Sequence, residues 1–430
     1  MHASLGSTEV FAWRDGWRYG LMGLPLAFVA LPLYVMLPNH YALHYGVPLA
    51  TLGALLLGAR LFDALIDPLL GRWCDRLYAR ARQQVLGWAA LAAGALGLGF
   101  ILLFFPPVQS GPWLLVWAVA CLLLTYAGFS AVSILHQSWG ALLGGDELQR
   151  GRVVAWREGL GLLGVLLASV APALLGLQAT CALFFAALAL GWWAWSHAIQ
   201  PPPRAAATEL HTTPAKPGTG LWRPFANPAF RTLLAVFMVN GIASAIPATL
   251  ILFFVQDRLQ ATAALQPLFL GSYFLSAALS IALWLKLVAH IGLARTWGLG
   301  VLLAIAVFVF ASQLGSGDSA AFVLVCALSG VALGTDLALP AALLAGAIAA
   351  SGDRGQAEGA YFGWWNFATK LNLALAAGVA LPLLDWLGYA PGVQDASALQ
   401  TLTNAYCLLP CALKLLAATL LYTLIIRRTP

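Results

Sequence analysis

The stretch Arg60-Leu61-Phe62-Asp63-Ala64-Leu65-Ile66-Asp67-Pro68 places three charges inside an apolar run that extends from residue 46 to residue 71. Asp63 and Asp67 are four residues apart, so they share one face of a helix, and Arg60 lies three residues before Asp63. A run of this length can cross a bilayer, which requires about 20 mostly apolar residues. Placing a charged side chain inside such a span costs free energy, so charged residues there indicate a functional site.

The composition of the whole chain also indicates the bilayer as its solvent. Of the 430 residues, 61% are hydrophobic and 9% are charged, against about 25% charged residues in average soluble domains. The polar segment from Met1 to Trp13 has no apolar core of a signal peptide, so we expect the first helix to remain as a span. The six cysteines are scattered without a CxxC or Cys/His cluster, so no metal site is predicted.

Twelve candidate spans lie along the chain, six on each side of a polar segment. The segment from Gln200 to Asn227 begins with three consecutive prolines and has no hydrophobic period, which predicts a flexible linker. The predicted fold is an all-α polytopic membrane protein of two pseudo-symmetric six-helix bundles, residues 1–200 and 230–430, with a cytoplasmic linker at 201–229. The spans are expected near residues 17–38, 46–71, 84–105, 111–143, 152–176, 179–199, 230–255, 264–288, 294–313, 319–350, 357–386 and 402–426.

The two halves share a weak internal similarity in their fifth spans. Residues 169–176 read Ser-Val-Ala-Pro-Ala-Leu-Leu-Gly, and residues 378–384 read Gly-Val-Ala-Leu-Pro-Leu-Leu. Repeated halves with a binding site between them are typical of transporters.

Basic residues are concentrated in alternate loops, which fixes the orientation because cytoplasmic loops are enriched in Lys and Arg. Only Arg258 lies in the opposite loops, and four of the 22 basic residues fall within spans. Both termini and the linker are therefore predicted to be cytoplasmic. The net charge of +6 follows from topology and does not indicate a nucleic-acid partner. The residues on the basic side are Arg14, Arg18, Arg72, Arg76, Arg80, Arg82, Arg150, Arg152, Arg204, Lys216, Arg223, Arg231, Lys286, Arg295, Arg354, Arg427 and Arg428.

The charged residues inside the spans each have a functional and a structural interpretation. Asp63 and Asp67 could hold a proton or a small cation, or could be a structural pair that Arg60 neutralises. Arg157 could bind a carboxylate, phosphate or hydroxyl of a substrate, or could simply pair with its neighbour Glu158.

Three charged residues in the later spans and two tryptophans are further candidates. Lys370 lies about 20 Å into its helix by helical rise, so a buried partner is expected. Asp336 and Lys414 are further intramembrane charges, and two of these three residues could form a structural ion pair. Trp139 and Trp364 have polar neighbours that predict a cavity, which makes them candidate substrate contacts.

Two separated motifs resemble those of the glycoside–pentoside–hexuronide:cation symporters, a family of the major facilitator superfamily that includes the melibiose carriers. The first is the run from Arg60 to Gly71 followed by Asp75-Arg76. The second is Lys370 followed by an apolar run, Leu387-Gly388-Tyr389, Pro391 and Gln400-Thr401-Leu402. The residues Gly71, Asp75, Arg76, Arg80 and Arg82 are also similar to the superfamily's motif between its second and third helices.

The resemblance implies secondary transport by alternating access. It implies that Asp63 and Asp67 are cation-site carboxylates and that Arg157 lies near a sugar site. It also implies that Trp139 corresponds to the family's helix-four tryptophan and that Lys370 lies in the central cavity. It also implies a conformational latch on the cytoplasmic side, formed by Gly71, Asp75, Arg76 and Arg80.

Three departures from the family pattern shape the expected function. Residues 24–31 and 130–135 lack the acids that the sugar carriers have in helices one and four, and Ile66 replaces a common Asn. Sodium would lack oxygen ligands, so a proton is the favoured coupling ion. The alternative is a carrier or flippase, without coupling, for lysolipids or other amphiphiles.

The remaining expectations concern chemistry and partners. The chain has no HExxH, GxSxG or nucleotide-binding loop, so an enzyme is not expected. We expect a monomer of the inner membrane that binds a small-molecule substrate and needs no cofactor beyond H⁺ or Na⁺.

The predicted topology can be tested with reporter fusions. A reporter joined after Pro203 or after the last residue, Pro430, should report the cytoplasm, because 17 loop residues on that side are basic and one on the other. A fusion after Thr262, in the loop that follows Arg258, should report the opposite side. A periplasmic signal from either of the first two fusions would contradict the orientation.

Overall fold

A computed structural model describes residues 11–80, 82–202, 220–392 and 395–428, which form helices joined by short connections. Most of the predicted linker, residues 203–219, lies outside the described residues. The spans are numbered α1 to α12 below.

The N-terminal half contains six spans, of which the first is bent. α1 consists of Trp13–Tyr34 and Leu37–Tyr45, which meet at an angle of 40° beside a π-helical turn that begins at Pro32. α5 and α6 follow each other closely because Pro172 and Gly176 interrupt the helix, the latter with φ at 78°. The other spans are α2 (Leu49–Arg80), α3 (Val85–Phe104), α4 (Pro112–Leu143), α5 (Glu147–Pro172) and α6 (Leu174–Ser196).

The C-terminal half repeats this arrangement with six further spans. Asn227 caps the start of the first and Asp395 the start of the last, each accepting backbone N–H groups with its side chain. The spans are α7 (Pro228–Arg258), α8 (Gln266–Ile291), α9 (Leu293–Ala311), α10 (Ser319–Ala350), α11 (Glu358–Trp386) and α12 (Ala396–Arg428).

The described helices account for the expected number of spans. Ten of them are long and apolar enough to cross a membrane, and the bent α1 brings the number to 11. α2 is also long, with 32 residues, but it carries Arg60, Asp63 and Asp67 in its interior. Counting α2 gives the predicted twelve.

α2 extends further than the sequence indicated. The predicted span ended near residue 71 with a loop after it, whereas the helix continues to Arg80. Cys74 and Leu77 are buried in these extra turns and provide a continued packing face, and Arg80 in the last turn suits the helix dipole. The residues expected in a loop motif are therefore the final turns of α2.

The two halves meet along a few helix pairs. One buried cluster runs from Phe11 to Ala198, and another from Ala245 to Cys407. A third joins Ala155 and Leu162 of α5 to the C-terminal half. α2 packs along α11, and α5 packs against α8 and α10, so residues on α2 and α11 are positioned to form a site between the halves.

Candidate functional site

The centre of the interface is the side chain of Lys370, which reaches from α11 to α2 and α4. Its Nζ lies 2.7 Å from Asp63 Oδ1 and 2.8 Å from Asp67 Oδ2. It also donates to Ser130 Oγ at 2.9 Å and to the backbone oxygen of Asp63 at 3.1 Å. Ser130 in turn donates to Asp63 Oδ1 at 2.9 Å. One ammonium therefore ties two carboxylates of the N-terminal half to the C-terminal half.

The cluster of Lys370, Asp63 and Asp67 contains more negative than positive charge. Asp63 is 3% exposed and Asp67 is fully buried, and the two carboxylates share a single ammonium. Oδ1 of Asp67 has no hydrogen-bond partner among the described residues. With both carboxylates ionised the cluster carries one net negative charge, and a buried charge of this kind favours binding a proton or a cation.

Arg60 forms no ion pair with Asp63 or Asp67 among the described residues. Its guanidinium carbon lies 4.0 Å from the ring centroid of Tyr34 on α1, which is a cation–π contact. In the described part of the chain the ion-pair partner of Asp63 and Asp67 is Lys370. The structural pairing with Arg60 considered from the sequence is thus replaced by a pairing between the halves.

Glycines allow α2 and α11 to approach closely on the basic side of the predicted topology. A Cβ atom at Gly71 would lie 2.1 Å from the carbonyl oxygen of Gly359, and one at Gly359 would lie 2.2 Å from that of Gly71. One turn further along α11, a Cβ atom at Gly363 would lie 2.6 Å from the backbone oxygen of Asp67. Only glycine fits at these crossing points.

Asp75 caps the N-terminus of α11 from the other half of the protein. Its Oδ1 accepts the N–H of Gly359 at 2.7 Å and its Oδ2 accepts the N–H of Ala360 at 3.0 Å. The N-cap residue of α11 itself, Ala357, offers no side-chain cap. A carboxylate at a helix N-terminus is stabilised by the free N–H groups and the dipole, so this contact holds the two halves together.

The two predicted latch arginines take no part in this contact. Arg76 and Arg80 are exposed, and no hydrogen bond or ion pair joins their side chains to another described residue. Two different hydrogen bonds cross between the halves at the same end. Arg354 donates to the carbonyl of Leu142 at 2.9 Å, and the N–H of Leu293 donates to Glu147 at 2.9 Å.

Arg157 and Glu158 border a separate cavity in the N-terminal half. They form an ion pair with each other, with side chains 14% and 23% exposed. The cavity beside them has a volume of about 180 Å³ and is also lined by Ser133 and Gln137. Oε1 of Gln137 has no hydrogen-bond partner among the described residues. The cavity thus combines an ion pair with neutral polar groups that a hydroxylated ligand could engage.

The two predicted tryptophans lie in packed surroundings away from these residues. Trp139 is 3% exposed, and its indole donates to the carbonyl of Ile199 at 3.1 Å. Trp364 donates to the carbonyl of Leu221 at 2.8 Å and packs against Trp222, beside the described end of the linker. His136 is buried and stacks on Tyr19, with its Nε2 2.8 Å from the Tyr19 backbone oxygen.

Asp336 and Lys414 form a pair of their own inside the C-terminal half, 3.3 Å apart. The intramembrane charges therefore do not form one network. They form three groups: Lys370 with the aspartates of α2, Arg157 with Glu158, and Lys414 with Asp336.

Sequence reasoning missed two polar residues of α4. Ser130 binds both Lys370 and Asp63, and Gln137 lines the cavity beside Arg157. Ser130, Ser133 and Gln137 are spaced at i, i+3 and i+7, which places them on one helix face. A polar stripe at this spacing within an apolar span was the signal that could have identified them.

Comparison with known proteins shows one family over nearly the whole chain. Residues 18–428 match the family described as MFS/sugar transport protein.

Two relatives share moderate identity. The chain is 26% identical to the inner membrane symporter YicJ of Escherichia coli over 165 residues, which are 38% of this chain and 35% of YicJ. It is 24% identical to the uncharacterized symporter YjmB of Bacillus subtilis over 372 residues, which are 82% of this chain and 79% of YjmB. The match to YicJ thus spans about a third of that relative.

Two solved structures share the fold. A bacterial homologue of the iron transporter ferroportin, crystallised in an outward-facing state, superposes with a TM-score of 0.70 at 15% identity, covering 95% of this chain and 98% of the other. The fucose:proton symporter of E. coli superposes with a TM-score of 0.67 at 14% identity, covering 97% and 99%. These similarities confirm the predicted all-helical fold.

The glycine crossing can be tested by adding one methyl group. Gly71→Ala would press Cβ onto the Gly359 carbonyl, so we expect a loss of about 1–3 kcal/mol of stability, as in overpacked sites. Gly58→Ala on the same helix is the matched control, because a Cβ atom there meets nothing within 4 Å. Thermal unfolding of the purified variants should show a lower midpoint for Gly71→Ala only. Equal midpoints would contradict the close crossing.

Proposed function

Because the chain belongs to the MFS/sugar transport protein family, we propose that it is a symporter that carries a sugar-like solute together with a proton. The family consists of secondary transporters of small solutes rather than enzymes, and the chain is a multi-pass membrane protein. The coupling ion, the class of solute and the orientation belong to the proposal.

The observation that carries the proposal is the charge of the cluster at Lys370. Two buried carboxylates face one ammonium across the interface, and Asp67 Oδ1 is left without a partner. One further positive charge would neutralise the cluster. A coupling ion that binds there changes the strength of the ion pairs that join α2 to α11. Coupling requires such a link between ion binding and the movement of the two halves.

The position of Lys370 supports a proton in preference to sodium. Its ammonium already occupies the space between the carboxylates, at 2.7 and 2.8 Å, and would repel a sodium ion there. Sodium also needs several oxygen ligands, and Ile66 contributes no side-chain oxygen to this part of α2. A proton requires one carboxylate oxygen only, and Asp67 Oδ1 offers one.

Protonation would loosen the interface by a simple electrostatic route. Neutralising Asp63 or Asp67 weakens the attraction of that carboxylate for Lys370. The α2–α11 contact would then depend on the glycine crossing and on the Asp75 cap at the basic end. Opening this end completes alternating access, with the solute bound near Arg157, Glu158 and Gln137.

The remaining features follow from the same proposal. Under the predicted topology the closed, basic end faces the cytoplasm, and the inner membrane is the expected location, as the name of YicJ states for that relative. A monomer stays our prediction. An uncoupled carrier of lysolipids or other amphiphiles is the alternative, and it predicts no response to an ion gradient.

Coupling can be tested in proteoliposomes after a thermal-shift screen of sugars, organic acids and lysolipids has identified a substrate. Wild-type protein should accumulate the substrate when a pH gradient is applied and not when a sodium gradient is applied. Asp63→Asn and Asp67→Asn each fix a neutral side chain, so each should reduce accumulation to the equilibrium level while retaining substrate exchange.

Asp385→Asn serves as the matched control, because Asp385 is an exposed residue near the end of α11. This variant should behave as the wild type. Accumulation driven by sodium alone would refute proton coupling, and uptake that stops at the equilibrium level whichever gradient is applied would favour the uncoupled alternative.

The Asp75 cap predicts a separate kinetic effect. Asp75→Ala leaves the N–H groups of Gly359 and Ala360 without their acceptor, at a cost typical of a lost cap, about 1 kcal/mol. The closed state should become less stable, so turnover should fall while substrate affinity stays within a few-fold. The turnover of Asp75→Asn, which keeps one acceptor oxygen, should lie between that of the wild type and that of Asp75→Ala. Unchanged initial uptake rates in Asp75→Ala would argue against a latch.

A further inference from the structure

The C-terminal half encloses a chamber that the proposed transport cycle does not use. It lies among α7, α8, α9, α10 and α12 and has a volume of about 250 Å³. Its lining residues range from Ala243 to Lys414, so all of them belong to this half. Leu270 and Ala248 are exposed and mark the open side, whereas Lys414 is buried and marks the closed end.

The charges at the closed end are fully satisfied. Lys414 Nζ donates to Asn240 and Ser244, each at 2.9 Å, and to Asp336 Oδ2 at 3.3 Å. Asp336 also accepts from Asn240 and Trp297 on Oδ1 and from Ser244 on Oδ2. An ammonium has three donors and a carboxylate about four acceptor positions, so this pair has no bond left to offer. The floor of the chamber is polar but electrically neutral.

Three hydroxyl groups of the lining keep hydrogen-bonding capacity. The hydroxyls of Tyr273 and Tyr406 make no hydrogen bond to a described residue, and Ser329 donates to the Val325 carbonyl at 2.6 Å, which leaves its oxygen able to accept. Each can therefore bind a hydroxyl or ether group of a ligand.

The walls of the chamber are aromatic and aliphatic. Tyr406 is 3% exposed and stacks on Phe254, with ring centroids 4.2 Å apart, and Phe308 packs beside it at 5.8 Å. Phe274 and Pro247 complete the apolar surface. Such a surface accommodates one ring or a short alkyl chain.

We propose that this chamber binds a neutral amphiphile, a molecule with a single aromatic ring or short alkyl body and one hydroxyl group. The body would pack against the aromatic wall, and the hydroxyl would bind Tyr273 and Ser329. A charged ligand is disfavoured, because its charge would be buried beside a pair that is already neutral and saturated. This site goes beyond the proposed symport, and its binding requires no ion gradient.

The binding can be measured with the probe 4-fluorobenzyl alcohol by fluorine NMR, using protein in lipid nanodiscs and empty nanodiscs as the background. Wild-type protein should show a saturable bound fraction. Ala332→Leu adds bulk at a buried lining position and should weaken binding at least tenfold. Tyr273→Phe removes only the hydroxyl and should weaken it about three- to tenfold, the effect of one hydrogen bond.

Ala282→Leu is the matched control, since it adds the same volume at an exposed position on α8 outside the chamber; it should bind as the wild type does. The charged analogues 4-fluorobenzylamine and 4-fluorobenzoate should show no saturable fraction. The proposal is overturned if Ala332→Leu and Tyr273→Phe both bind as the wild type does, or if either charged analogue binds as tightly as the alcohol. These readouts do not depend on transport, so a failure here leaves the symport proposal intact, and the reverse also holds.

Discussion

The buried ammonium of Lys370, held between Asp63 and Asp67, is the interaction on which the association of the two halves depends. Within lipid there is no hydrophobic force to press helices together, so packing, hydrogen bonds and ion pairs carry the association. Removing one partner of a buried pair costs more than the pair contributes, because the other charge is left unpaired. This ion cluster lies at the crossing of α2 and α11. The binding or release of one proton there alters the contact between the halves.

The glycine crossing explains how a single lysine can reach both carboxylates. Asp63, Asp67, Gly71 and Asp75 recur every four residues along α2 and therefore lie on one face. Gly359 and Lys370 lie on the facing surface of α11, where the glycine carbonyl meets Gly71 and the ammonium meets the aspartates. Close backbone approach at the glycines brings the helix N-terminus within reach of Asp75. The close approach of α2 and α11 at the glycines thus positions both the Lys370 ion cluster and the Asp75 cap.

The sequence predicted what depends on local spacing and missed what depends on partners. The spans and the shared face of Asp63 and Asp67 follow from helical periodicity. The partner of those aspartates does not, because Lys370 lies 307 residues from Asp63. The extent of α2 was underestimated because charged residues near its end resemble a loop, although buried side chains continue the helix. Trp139 was expected at a cavity because of its polar neighbours, but adjacent residues on a helix point to different faces.

Lys370 and Lys414, two lysines of the C-terminal half, show why a buried pair is not by itself a coupling site. Lys414 and Asp336 belong to one half, and every donor and acceptor of the pair is matched. Neutralising Asp336 would weaken the four hydrogen bonds that it accepts without a change in the contact between the halves. Lys370 instead serves two carboxylates from the opposite half, and Asp67 keeps one unpartnered oxygen. A proton that binds there relieves an excess charge and weakens a contact that must break during transport. Both groups are buried, so burial alone does not identify the coupling site. The Lys370 cluster differs from the Lys414–Asp336 pair because one of its carboxylate oxygens has no partner and because it lies between the two halves that move.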